Sequence, residues 1–234
     1  SLLEPIATRI AGLPAAQRAV FEAIALAEPL PLHAASHLAG VGVLGQLESA
    51  GFIELVAEPS HATVRLSDPL YGVAVRQHLG PLAVRDAAER AAVVLSERSV
   101  GRDAWRAACL RLEHDLPMSR DEAAEAARTA LTLQDPELAL RFVAEAGDDV
   151  DVLLMRGSAH ANLGNVAAAE EPLRLAIATA ADLGIRARAV SRLANSLITA
   201  GGRFRDAIEL IESELSQMPD PRWREFLRAD LVYA

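Results

Sequence analysis

Apolar residues recur at helical spacing along almost the whole chain, and the pattern turns strand-like in one short stretch. Leu3, Ile6 and Ile10 fall on one stripe and predict a short helix over 1–13. Pro14 stands at a first turn, where proline is tolerated. Val20, Phe21, Ile24 and Leu26 then predict a helix from Ala15 to Ala27, which Pro29 and Pro31 end. Two shorter helices follow, over Leu32–Leu38 with Gly40 closing it and over Val43–Ser49 with Gly51 beyond. Phe52 to Val56 and Ala62 to Leu66 are rich in β-prone residues, with the turn-like Glu58-Pro59-Ser60-His61 between them. Pro69 opens a helix to Leu79, Gly80-Pro81 interrupts it, and Ala83–Glu97 forms another. Ser99-Val100-Gly101 reads as a linker.

From residue 102 onward the pattern is one of helical pairs, and it repeats. Gly157, Gly164, Ala169 and Ala176 carry small or helix-ending residues at set offsets, with the large Leu173 between the last two. Ala127, Gln134, Ala139 and Ala146, with Val143, occupy the same offsets one unit earlier. Ala194, Gly202, Ala207 and Ile211 follow with one extra residue, and Pro219 ends that unit. This spacing of small residues is that of a tetratricopeptide repeat, whose pairs stack because none buries its apolar face alone. The expected fold is therefore mainly α: a winged-helix-like module with a short β-hairpin over 1–98, followed by a tetratricopeptide-type α-solenoid over 102–234. Ser1 is not an initiator Met, and Arg222–Val232 reads as half of a further pair. Both lead to the expectation of a middle segment of a longer protein.

Composition narrows the function. Hydrophobic residues make up 51% of the 234 positions, enough for real cores, and aromatics only 4%. No lysine occurs, so no phosphate-binding loop ending in Gly-Lys-Ser/Thr exists here. The formal charge of -9 opposes general binding to phosphate backbones and to anionic membrane surfaces. No apolar run is long enough for a membrane span, no secretory leader pattern opens the chain, and Cys109 stands alone. Together these predict a cytoplasmic protein without membrane association.

No residue constellation asks for an enzyme. His33 and His37 share a helix face, but no third ligand is evident, and ordinary surface roles fit them better. Cys109 reads as a buried small hydrophobe, Glu113-His114-Asp115 as a charged helix end, and Glu170 with Glu171 as a solvated face. Arg186, Arg188 and Arg192 form a basic stripe at helical spacing. They are the candidate ligand or partner groove; salt bridges to neighbouring acidic faces are the plainer reading. The candidate recognition helix, Val41–Ser49, has Gln46 and Glu48 but no basic residue, and the turn of the hairpin offers only His61. Direct DNA binding by this module is not expected.

Arg65-Leu66-Ser67-Asp68-Pro69-Leu70-Tyr71, with Arg85-Asp86-Ala87-Ala88-Glu89-Arg90-Ala91-Ala92 after it, resembles the MalT-like, LuxR-type ATP-binding transcription regulators of bacteria. Ala15–Leu38 and Leu44–Val56 look like that family's winged-helix segment. The resemblance implies a non-catalytic sensing and autoinhibitory segment. An upstream nucleotide-binding domain of the STAND class would hold ATP or ADP. An inducer or protein partner would sit on the solenoid, and DNA would be contacted only through a C-terminal domain outside this chain. No cofactor is expected within the segment itself. The family often carries His-Pro-Leu after the wing, the histidine facing nucleotide; here the position is Asp68. Asp68 is thus the candidate cofactor-facing residue, or simply the cap of the helix that Pro69 opens. The alternative function is a tetratricopeptide protein-interaction scaffold with no nucleotide or DNA link.

Overall fold

The computed structural model describes residues 3–57, 62–97 and 101–231, which form 13 helices and a three-stranded antiparallel sheet. The expected turn at 58–61, most of the expected linker and position 232, the expected end of the last helix, lie outside the described residues. Two compact units divide the chain, 1–118 and 119–234.

The first unit begins with α1 (Glu4–Ala11) and α2 (Ala15–Ala27). A two-residue strand, β1 (Leu30–Pro31), comes next and leads straight into α3 (Leu32–Ser49). Gly40 breaks α3 at φ 72°, ψ 158°, where expected, because the chain there adopts a conformation that only glycine takes readily. β2 (Ile53–Ala57) and β3 (Ala62–Leu66) pair in register from Ile53 opposite Leu66 to Ala57 opposite Ala62. Strand β1 pairs with the other edge of β3, Leu30 opposite Val64. The hydrophobic pattern gave no sign of β1, since two residues, one of them a proline, carry no alternation. α4 (Pro69–His78) and α5 (Pro81–Ser96) complete the hairpin's surroundings.

The unit also takes in α6 (Arg102–Glu113), so the division falls between Met118 and Ser119 rather than near the linker. The reason is packing. α6 lies along α5, and its Ala107 and Leu110 join the same core as Phe21, Ile24 and Leu47. Arg106 also donates to the Ala27 carbonyl at the end of α2.

The second unit is a series of helical pairs: α7 (Arg120–Thr132) with α8 (Pro136–Ala146), α9 (Val150–Asn162) with α10 (Val166–Thr179), and α11 (Leu183–Thr199) with α12 (Phe204–Gln217). α13 (Pro221–Leu231) packs on α11 and α12. The small residues sit where the helices of a pair touch. Ala127, Ala139, Ala169 and Ala207 are fully buried, and so is the large Leu173 between Ala169 and Ala176. Each pair is joined at a residue of positive φ: Gln134 at 60°, Gly164 at 72° and Gly202 at 62°. At the first two joints the turn closes with Asp135 N donating to Ala130 O and Asn165 N to His160 O. The same Asp135 and Asn165 then cap the next helix, accepting from Leu138 N at 3.0 Å and Ala168 N at 3.2 Å. Among the described residues no helix is long and apolar enough to cross a membrane.

Candidate functional site

The first helices of successive pairs, α9 and α11, pack against each other, and α13 continues the row. They therefore present a common face. A groove of about 300 Å³ opens on it, lined by Leu154 and Ser158 of α9, Arg188, Ser191, Arg192 and Asn195 of α11, and Phe226 of α13. Two of the three arginines singled out in the sequence meet there. The third, Arg186, is spent elsewhere: its Nε donates to Glu214 Oε2 at 2.7 Å and its Nη2 to Gln217 Oε1 at 3.3 Å. That bond to Glu214 holds the Arg186 guanidinium above its ordinary pKa.

Arg188 and Arg192 are one helical turn apart, so both project on one side of α11. Arg188 Nε donates to the Gly184 carbonyl at 3.2 Å, a bond within its own helix. Arg192 Nη1 reaches the carboxamide oxygen of Asn162 at 3.4 Å. Among the described residues neither has a carboxylate within ion-pair distance. Two permanent cations thus share a groove whose other polar groups are hydroxyls and a carboxamide. Ser158, Ser191 and Asn195 can donate to the remaining oxygens of a bound carboxylate or phosphate. Salt bridging, the plainer reading of the stripe, holds for Arg186 alone.

The acidic face of the neighbouring pair is used differently. Glu170 accepts from Arg174 Nη2 at 2.7 Å and from Arg203 Nη1 at 2.8 Å, and Arg203 also pairs with Asp206. These bonds, Arg174 first, hold the Glu170 carboxyl below its usual range. The network ties α10 to the start of α12, where Arg203 occupies the cap position without a side-chain cap. Glu171 stays exposed.

Asp68 accepts from Leu70 N through Oδ1 at 2.9 Å and N-caps α4, with its backbone in the extended region. Its carboxylate is exposed and offers no donor to a phosphate, and the cap is the role its geometry shows. His37 Nδ1 lies 2.6 Å from Glu97 Oε2, while His33 is exposed on the preceding turn. No group of three metal-ligating side chains converges among the described residues. Cys109 is half-buried in α6 rather than fully enclosed. Glu113-His114-Asp115 ends α6 as expected, Asp115 taking a φ of 51°.

One functional candidate escaped pattern reading. Glu22 sits in the apolar run Ala19–Ala27 and is 9% exposed. The signal was present, since a lone carboxylate amid Val20, Phe21 and Ile24 interrupts an otherwise buried face. Burial pushes its pKa up, against the pull of Arg18 and Arg90 and with the repulsion of Asp86.

On the face of the candidate recognition helix, Val41 is 70% exposed and Leu55 47% exposed, with Glu48 and Glu54 beside them along a shallow apolar depression. Gln46 is engaged by Gln17 Nε2 at 2.7 Å. The exposed groups here are apolar and acidic, the opposite of what a phosphate backbone rewards. No protein-family model, no curated protein and no solved structure matches the chain.

Proposed function

We propose that this chain is a non-catalytic sensing and protein-contact segment. Its second unit is a tetratricopeptide-type solenoid whose inner groove takes an anionic ligand or an acidic partner segment. Its first unit is a winged helix that serves as an internal contact module rather than a DNA reader. The observation that carries this reading is the groove in which Arg188 and Arg192 stand one turn apart with no carboxylate partner among the described residues. An ion-paired stripe would be a structural feature; an exposed, unpaired one favours a ligand's carboxylate or phosphate. The helix–helix–strand–helix–strand–strand order, with β1 pairing β3, supports the winged-helix assignment. The positive-φ joints and buried small residues at matched offsets support the repeats.

The resemblance to MalT-like, LuxR-type regulators extends the reading to a bacterial ATP-dependent transcription regulator working in the cytoplasm. ATP or ADP would then be bound upstream and DNA by a separate domain. Inducer in the groove would act by binding one arrangement of the whole protein better than another. A tetratricopeptide scaffold without nucleotide or DNA is the second reading, favoured by the same groove. A full-length protein with no upstream phosphate-binding loop would select it.

Fluorescence anisotropy with labelled hexaglutamate and labelled duplex DNA, at low and physiological salt, tests the groove. Hexaglutamate is expected to bind and the duplex not. Replacing Arg188 and Arg192 together by Ala should weaken hexaglutamate by at least roughly tenfold, the factor that 1.4 kcal/mol gives. Arg205→Ala should leave it unchanged. Tight, salt-sensitive duplex binding would overturn the contact-module reading. Hexaglutamate binding that survives the double substitution would overturn the groove.

A further inference from the structure

The first unit carries a half-open pocket of about 390 Å³ between α1, α2, α4 and the start of α5. Most of its wall is apolar, with Ile10, Val75 and Leu79 contributing. Two ions of opposite sign also line it, Arg18 and Glu22, four residues apart on α2 and so on one helix face. Opposite charges at this spacing ordinarily close on each other. These two do not. Arg18 Nη1 reaches back to the Ala11 carbonyl at 3.4 Å. Glu22 makes no hydrogen bond or ion pair among the described residues, although it is only 9% exposed. A carboxyl that faces a pocket without a donor is one that a ligand's donor can satisfy. The remaining polar side chain on the wall, His78, has its Nδ1 3.0 Å from the Ala74 carbonyl.

We propose that this cavity binds a small zwitterion with an apolar body, of the class of a free aliphatic or aromatic amino acid. Its ammonium meets Glu22, its carboxylate meets Arg18, and its body rests on Ile10, Val75 and Leu79. The charges select this class. A plain amine would satisfy Glu22 but face Arg18 uncompensated, and a plain acid would do the reverse. Only a molecule carrying both signs on neighbouring atoms completes both groups at once. Size agrees, since a cavity of about 150 Å³ already admits benzene. The site is independent of the Arg188–Arg192 groove, lies in the other unit, and gives the chain a metabolite-sensing capacity of its own.

Titration of the ¹⁵N-labelled chain with L-phenylalanine and with L-leucine, read by amide shifts, is the direct test. At least one is expected to bind saturably and to move the amides of Ala74 and Val75. 2-Phenylethylamine and 3-phenylpropionate, each carrying one half of the charge pattern, should bind at least roughly tenfold more weakly than L-phenylalanine, again the 1.4 kcal/mol scale. Glu22→Gln should abolish the preference for the amino acid over 3-phenylpropionate. Arg18→Gln should abolish the preference over 2-phenylethylamine, and it keeps the test open should Glu22→Gln fail to fold. Absence of saturable binding by both amino acids would overturn the proposal. So would equal affinity for the amine alone, or affinity unchanged in both variants.

Discussion

The two units build their cores from different materials. In the first, Phe21, Phe52 and Tyr71 stack against one another with ring centroids 5.2–5.5 Å apart. They come from α2, the approach to β2, and α4, so the cluster exists only once the sheet has been folded onto the helices. Arg9 lies over the Phe52 ring, 4.6 Å from its centroid, and donates to the Tyr71 hydroxyl and the Ala50 carbonyl. In the second unit, buried alanines and a glycine line the contacts within the helical pairs, and one large aliphatic residue per pair packs among them. A core assembled once from distant aromatics depends on each of them. A core assembled from repeated small residues spreads its dependence, and its weak points are where a small residue cannot grow.

Phe21→Ala is the largest expected effect. Phe21 is 0% exposed and joins two ring contacts, so its loss should cost about 3–5 kcal/mol. The chain supplies its own reporters, since Trp105 belongs to the first unit and Trp223 to the second. Urea unfolding of variants retaining one tryptophan should show Phe21→Ala lowering the Trp105 midpoint more than the Trp223 midpoint. Equal shifts would break the comparison, because the chain would then be one cooperative structure.

Much of this architecture was legible in the sequence, for reasons that differ between the units. The repeat offsets named Ala127, Gly157, Ala169, Ala176 and Leu173, and these are the residues buried between paired helices. Repetition made them visible: one small residue means little, and the same small residue at matched positions of successive units means a contact. Glycine and proline also marked the break at Gly40 and the start of α4. Hidden features were those that depend on distant parts of the chain. Strand β1 exists because β3 offers it an edge, not because Leu30-Pro31 is strand-like. α6 belongs with the first unit because of what α5 and the end of α2 offer it. Helical spacing placed three arginines on one stripe. It gave no sign that Glu214, 28 residues from Arg186, would take one of them. Glu22 was visible as a charge in an apolar run, but the cavity beside it is made by α1, α4 and α5 and had no local signature.

The repeated core should fail at its tightest approach. A Cβ added at Gly157 would stand 2.3 Å from Leu173 Cγ and 2.7 Å from its Cδ2, and Leu173 is 0% exposed, with no free space to move into. Gly157→Ala should therefore lose roughly 1 kcal/mol net, overpacking of about 1–3 kcal/mol outweighing the gain of about 1 kcal/mol in helix propensity. Leu173→Ala should cost about 2–5 kcal/mol through the cavity it leaves. Combining the two puts the new methyl into the vacated space. The double variant should then be at least about 0.5 kcal/mol better than the sum of the single losses. Strict additivity would mean that the α9–α10 approach is not what fixes glycine at this position.

The smallest effects separate the units by sign. Burial raises the Glu22 pKa, so the fold prefers this carboxyl protonated. Its contribution is fully present below the unfolded value near 4.3 and is lost as pH rises through the higher folded value. Glu170 is the mirror case. Bonds from Arg174 and Arg203 lower its pKa, so its contribution is present above the unfolded value and is lost as pH falls through the lower folded one. At neutral pH, Glu22→Gln should raise the unfolding midpoint. Glu170→Gln should lower it, by no more than about 1 kcal/mol for partly exposed ion pairs. Both differences should shrink as the pH falls below about 4. Urea midpoints of the two variants against the parent, near pH 7 and near pH 3.5, check this. Opposite signs that converge in acid would mark Glu170 as a residue kept for the fold and Glu22 as one kept at the fold's expense. A residue that costs stability where it stands, beside an open cavity, is one whose use lies in binding.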